Sequence, residues 1–220
     1  GAGTSWSTAF VTANEARAAA TANNGDVVLL APAHAETLVN ATGFAASKAG
    51  ISYIGTGYGA DRATFTFGTS TTANIPISGA SNVFSNILLV CGIDSVVAAL
   101  TISAADVWVD NVEFRDTTDV EFVTPLLTTT GANRLKVTNC LHDGFITGNA
   151  CTEAFSLIGV DQGLIENCRF LGNYSTACIN MLTTACTKVR VTNCEFRETA
   201  STDITTTIRE HQNNPPLQRA

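Results

Sequence analysis

Five short segments of this chain repeat one pattern around an asparagine: Asn82-Val-Phe-Ser-Asn86-Ile-Leu-Leu, Val107-Trp-Val-Asp-Asn111-Val-Glu-Phe, Leu135-Lys-Val-Thr-Asn139-Cys-Leu-His, Gly163-Leu-Ile-Glu-Asn167-Cys-Arg-Phe and Val189-Arg-Val-Thr-Asn193-Cys-Glu-Phe. Successive anchors lie 25, 28, 28 and 26 residues apart. A fixed period of roughly 20–50 residues marks an array in which each unit buries its apolar face only against its neighbours. A weaker copy, Ile51-Ser-Tyr-Ile-Gly55, sets glycine where the others have asparagine, 31 residues before Asn86.

A second motif lies upstream of each anchor, in Ile75-Pro-Ile77, Leu100-Thr-Ile102, Leu126-Leu127, Phe155-Ser-Leu157 and Ile179-Asn-Met181, and recurs at Ile204. Each period therefore holds at least two strands. Apolar and polar residues alternate over four to six positions, and no 3.6-residue helical pattern intervenes to supply crossover helices. Equivalent strands must then stack coil on coil at about 4.8 Å. The sequence thus predicts an all-β parallel β-helix of about seven coils over residues 27–208.

Within each copy, the residues four and two before the anchor share one face, and the phase then resets so that those one and three after it are apolar. A corner at the anchor explains the reset. Asparagine tolerates the left-handed αL region and glycine enters it freely, so Gly55, Asn86, Asn111, Asn139, Asn167 and Asn193 are read as a column of stacked turns whose amides can hydrogen-bond along the rod. The interior columns follow: Ile87, Val112, Cys140, Cys168 and Cys194 at plus one, and Leu89, Phe114, His142, Phe170 and Phe196 at plus three. His142 interrupts the aromatic column beside Asp143, and reads as a hydrogen-bonded core histidine. The seven cysteines are odd in number, show no CxxC and lie in apolar runs, which favours buried thiols.

The ends differ. Ser7 to Ala22 is the stretch rich in helix formers, with an N-cap expected at Ser7 and a stop at Asn23-Asn24-Gly25-Asp26, so residues 1–26 are read as an arm and a helix capping the solenoid. Residues 209–220 carry Pro215-Pro216 and read as an extended arm or linker. Gly1-Ala2-Gly3-Thr4-Ser5 shows neither the basic nor the apolar region of a secretory signal.

Charged residues make up only 14% of the chain, and its net charge of −7 leaves no basic footprint for nucleic acid. No apolar run reaches the roughly 18–20 residues of a membrane-spanning helix, so no membrane partner is expected. With the interior apolar, function falls to outward positions and loops. Glu113 with Arg115 and Glu195 with Arg197 read as surface ion pairs. Asp106, Asp110, Asp116 and Asp119 form the densest acidic group, open to reading as a calcium site or a glycosidase pair, with Arg134 and Lys136 one coil later. Trp108, Asp110 and Glu113 are the glycan-site candidates, and Trp6, Tyr53, Tyr58 and Tyr174 complete the tryptophan and tyrosine platforms. No GxSxG elbow or HExxH pair occurs. Gly55-Thr-Gly57-Tyr-Gly59 lacks a strand-to-helix setting and reads as a coil corner. No catalytic residue, metal or cofactor is assigned.

Ser5-Trp-Ser-Thr-Ala-Phe, Gly25-Asp-Val-Val-Leu-Leu-Ala-Pro32-Ala-His34-Ala-Glu36-Thr and Ile54-Gly-Thr-Gly57 resemble the opening coils of right-handed parallel β-helix proteins of the pectate lyase-like superfold. The His34-Ala-Glu36-Thr variant, followed by Thr-rich coils of low charge, is similar to β-helical virion proteins of tailed bacteriophages. This resemblance implies a structural role on a capsid or tail, often as a homotrimer, assembled in the host cytoplasm; a major capsid protein is then the expected partner. The leading expectation is a non-enzymatic capsid decoration protein. A tailspike-like glycan binder or depolymerase and a bacterial surface adhesin stand as alternatives.

Overall fold

A computed structural model describes residues 3–144, 151–181, 183–198 and 208–210. The chain winds as a parallel β-solenoid of about six turns with three faces. The first face stacks Val27–Leu30 (β1), Ser52–Gly55, Val83–Ser85, Trp108–Asp110, Lys136–Thr138, Leu164–Glu166 and Arg190–Thr192. The second stacks Ala35–Leu38, Ala63–Phe67, Ile87–Cys91, Glu113–Arg115, Leu141–Asp143, Arg169–Gly172 and Glu195–Glu198. The third stacks Ile75–Ile77, Leu100–Ile102, Leu126–Thr128, Cys151–Ser156, Tyr174–Met181 and Ile208–Glu210. Fewer full turns form among the described residues than the seven coils expected, because there the first coil reaches the third face only through the single bridge Ala46–Ile77. The repeat expected at Ile204 lies outside the described residues; the strand that pairs with Tyr174–Met181 is Ile208–Glu210, two residues past the expected end of the solenoid.

In-register pairing turns the sequence columns into rows of side chains along the axis. Val28, Tyr53, Phe84, Val109, Val137, Ile165 and Val191 line the inside of the first face. Phe65, Leu89, Phe114, His142, Phe170 and Phe196 line the second. Ile75, Leu100, Leu126, Phe155, Ile179 and Ile208 line the third. Phe155 meets Phe170 edge-on at 4.9 Å, and Phe170 stacks on Phe196 at 5.1 Å. Each such ring contributes on the order of 1.5–3 kcal/mol by burial.

The five anchor asparagines all sit at positive φ, between 49° and 57°. Their backbone amides keep the ladder unbroken round the corner, as Asn111 N donating to Thr138 O at 3.0 Å and Asn139 N to Glu166 O at 3.0 Å show. Side chains join neighbouring corners at Asn111 to Asn86 (3.2 Å) and Asn167 to Asn139 (3.5 Å), whereas Asn139 donates to Asp110 Oδ1 at 2.7 Å. Gly55 corrects the expectation of an αL corner. It closes a strand and is not among the positive-φ glycines; its need is room, since a Cβ there would lie 2.1 Å from the Asn86 carbonyl oxygen.

At the N-terminus, Trp6–Thr8 forms a 3₁₀ turn, and the helix Ala13–Ala19 (α1) packs against β1. The N-cap is Thr12 rather than Ser7. Its hydroxyl accepts from Glu15 N while the Glu15 carboxylate accepts from Thr12 N, a capping box that Ser7 cannot make.

Candidate functional site

Trp108 and Asp110 stand two residues apart in one strand, so both point outward on the first face, around an inward Val109. The Trp108 indole donates to Thr138 Oγ1 at 2.8 Å, and Thr138 donates to Asp110 Oδ1 at 2.6 Å. Asn139 fills the same oxygen, and Ser85 approaches Oδ2 at 3.4 Å. The Asp110 carboxylate is therefore spent on neighbouring coils, while the ring stays 42% exposed.

Glu113 lies round the Asn111 corner on the second face, and it is buried rather than a surface residue. Arg62 reaches across the intervening coil, donating to Glu113 Oε2 at 2.8 Å, to Ile87 O at 3.0 Å and to Asn111 O at 2.8 Å. Arg115 donates to the other Glu113 oxygen. Burial lowers the Arg62 pKa, and the Glu113 charge opposes that shift. Glu195 holds Arg169 and Arg197 in the same way at the far end, in the open.

The four aspartates that cluster in sequence are dispersed in space. Asp106 sits at a corner with φ 61°, where Arg134 grips both its oxygens at 2.6 Å and holds its carboxyl below the usual range. One coil on from Arg134 lies Asp161, facing Lys188 at 3.7 Å, so charges alternate up this edge. The Arg134 spacing is thus structural: its side chain bridges a single coil. Asp119 occupies a turn closed by the Thr117–Val120 bridge. No group of three or more His, Cys, Asp or Glu among the described residues is disposed to hold a metal ion.

Asp116 points inward. Its Oδ1 accepts from Phe122 N at 3.0 Å, and its Oδ2 lies 3.3 Å from His142 Nε2 without an aligned hydrogen bond. His142 shares a 2.7 Å hydrogen bond through Nδ1 with the Tyr174 hydroxyl; Asp143 beside it in sequence is exposed. The tautomer serving both contacts carries its proton on Nε2 and accepts from tyrosine at Nδ1. Desolvation raises the Tyr174 pKa well above its usual value, and likewise that of nearby Cys151, which the Asp116 charge pushes further up. The Asp116 and His142 side chains are at most 1% exposed, so this array meets no substrate; it is polar core. The sequence places His142 in the core but suggests an acidic group for Asp116 and an aromatic platform for Tyr174; their meeting with His142 is made by other coils and loops.

Cys91, Cys140, Cys151, Cys168, Cys186 and Cys194 carry free thiols, all but Cys194 buried. The exposed tryptophan and tyrosine platforms are Trp6, Tyr58 and Trp108, on separate parts of the rod, while Tyr53 and Tyr174 are buried. Trp108 and Asp110 are brought together; Glu113 is turned away from them. No described helix is long and apolar enough to cross a membrane. The chain matches no protein-family model, no curated protein and no solved structure.

Proposed function

We propose that this protein is a non-enzymatic structural subunit of a tailed bacteriophage particle, a homotrimeric decoration protein that contacts the major capsid protein and stabilises the head. One observation carries the reading: the outer side of the first face is divided along the axis. Its lower coils present Val27, Leu29, Ile54, Val83 and Trp108 with Ser52, Ser85 and Asp110 among them, and its upper coils present Lys136, Glu166 and Arg190 with Thr138, Thr192 and a single apolar residue, Leu164. Val27 and Leu29 are more than half exposed. Such a division suits a rod whose lower flank is covered by fellow chains while its upper flank stays in water. The resemblance of the opening coils to β-helical virion proteins supports placing that assembly on a phage. The test is sedimentation of the purified protein at micromolar concentration together with detection of the chain in purified particles. Trimers and particle-bound copies are expected; a monomer with no copies in particles overturns the reading.

The exposed Trp108 ring, beside the Thr138 and Asp110 hydrogen bonds, favours a second reading as a tailspike-like glycan binder. Cleavage by Asp110 with Glu113 is disfavoured, since they lie on different faces and Glu113 is held between two arginines. Incubation with bacterial surface polysaccharides would show retention of the protein on the glycan if this reading holds, and no retention if it fails.

A further inference from the structure

We infer that the first coil carries a strand-acceptor groove, which takes an extended, uncharged segment of a partner polypeptide with apolar residues at alternate positions. The groove is a cavity of about 650 Å³ lying between the N-terminal arm, α1 and β1, within the roughly 300–1,000 Å³ usual for clefts that hold ligands. Trp6 and Phe10 of the arm, Ala16 and Ala20 of the capping segment, and Val27 and Leu29 of β1 line it. The alanines explain the space: they let the helix cover the core without filling the volume beside it.

What sits in such a space is dictated by the main chain. Among the described residues β1 is the outermost strand of its face and pairs only with Ser52–Gly55. That ladder uses Asp26 O, which accepts from Ser52 N at 3.1 Å, and Leu30 O, which accepts from Thr56 N at 3.0 Å. Because the peptide groups of a strand alternate in direction, those of Val27 and Leu29 face the opposite way, along the open edge. Two amide donors and two carbonyl acceptors in extended geometry recognise another strand, and the apolar lining selects its side chains. Asp26 and His34 are the titratable groups of the lining, and the Asp26 carboxylate is already engaged by Thr21 N and Asn24 Nδ2. Charge therefore favours a neutral occupant. This inference concerns one end of the rod and does not rest on the virion assignment.

The probe is an acetylated, amidated peptide of residues 51–57, Ile-Ser-Tyr-Ile-Gly-Thr-Gly, which contains the segment that already pairs with the other edge of β1. Its binding is read from Trp6 emission in a Trp108→Phe background. Saturable binding with a blue shift is expected, and Leu29→Pro and Ala19→Phe should each weaken it about tenfold or more. Leu29→Pro removes an edge donor that the ladder does not use. Ala19→Phe fills the groove from an exposed helix position, so it decides the matter if the proline variant fails to fold. Absence of saturation up to roughly 1 mM peptide, or equal binding to a folded groove variant and its parent, overturns the inference.

Discussion

Glu36 Oε2 lies 3.0 Å from the backbone nitrogen of Ala13, so the side chain in register below Phe65 leaves the aromatic row and accepts an N–H from the first turn of α1. At the other end of the same helix, Lys48 Nζ donates to the carbonyls of Ala18 and Ala20 at 2.7 and 2.6 Å. A helix of seven residues is too short to persist alone. It is held here by a carboxylate at its positive end and an ammonium at its negative end, each matching the macrodipole and satisfying orphan backbone groups. The cap is thereby clamped to the first coil rather than resting on it by apolar contact alone.

Glu36→Ala should loosen that clamp. A charge-assisted hydrogen bond to a half-buried amide stabilises by about 1–2 kcal/mol. At this chain length the loss corresponds to a fall of roughly 2–8 °C in Tm. Thermal unfolding followed by circular dichroism measures it, and an unchanged Tm would show that apolar packing of the alanines alone seats the helix.

The Asn86 corner separates backbone strain from hydrogen bonding. Its Nδ2 donates to Gly55 O at 2.8 Å and Gly57 O at 2.9 Å, and its φ is 57°. Asn86→Ala loses these two bonds and the one that Asn86 Oδ1 accepts from Asn111, and keeps an unfavourable φ, so a cost of about 2–4 kcal/mol is expected in urea unfolding. Asn86→Gly should recover about 1 kcal/mol of it by relieving the backbone. Gly55→Ala should be at least as damaging as Asn86→Ala, because its new Cβ meets backbone rather than a side chain that can rotate. Equal stability of the alanine and glycine variants at position 86 would remove strain from the account.

His142 and Tyr174 should behave as one unit. Tyr174→Phe leaves Nδ1 of a fully buried ring without a partner, at a cost of about 1–3 kcal/mol. His142→Phe continues the phenylalanine row between Phe114 and Phe170 but leaves Asp116 Oδ2 facing a hydrocarbon. Once the histidine is gone, the tyrosine hydroxyl has lost the same bond, so the double variant should be less destabilised than the sum of the singles by about 0.5–3 kcal/mol. Strict additivity in urea unfolding would show that the hydrogen bond contributes nothing.

The periodic part of this protein was legible in its sequence because a stacked coil repeats its constraints. Phe114, Phe170 and Phe196 face inward in register, and Asn111, Asn139 and Asn167 turn corners, each announced by its neighbours one period away. Contacts that skip a coil or leave the period left no such mark. Arg62 finds Glu113 across 51 residues, and Asp116 finds His142 from a loop end, although nothing in spacing distinguishes these residues from other surface charges. Gly55 was misassigned because glycine serves two purposes, positive φ and close approach, and the sequence alone does not say which. The aspartates at 106, 110, 116 and 119 looked like a cluster because they are near in sequence, but a corner and a face change lie between them.

Glu121 gives the pH dependence a direction. It is buried among Asp94, Asp116 and Asp119; burial first, and then those three charges, raise its carboxyl pKa above the usual value. A carboxyl whose folded pKa exceeds its unfolded one binds its proton more tightly in the folded state, so folding is penalised as pH rises through the unfolded value and the penalty is complete above the folded one. Glu121→Gln mimics the protonated form. Relative to the parent it should raise Tm at pH 7 by on the order of 1–2 °C, with the difference vanishing as the pH falls below the usual carboxylate range. Asp106→Asn should do the reverse. Hydrogen bonds from Arg134 lower the Asp106 pKa, so its contribution is present above the unfolded value and is lost as pH falls through the folded one. That variant is expected to be less stable than the parent at pH 7 and to converge with it in acid. Thermal melts of the three proteins between pH 3 and pH 8 check both signs at once, and a Glu121→Gln curve parallel to the parent at every pH would remove Glu121 from the acid response.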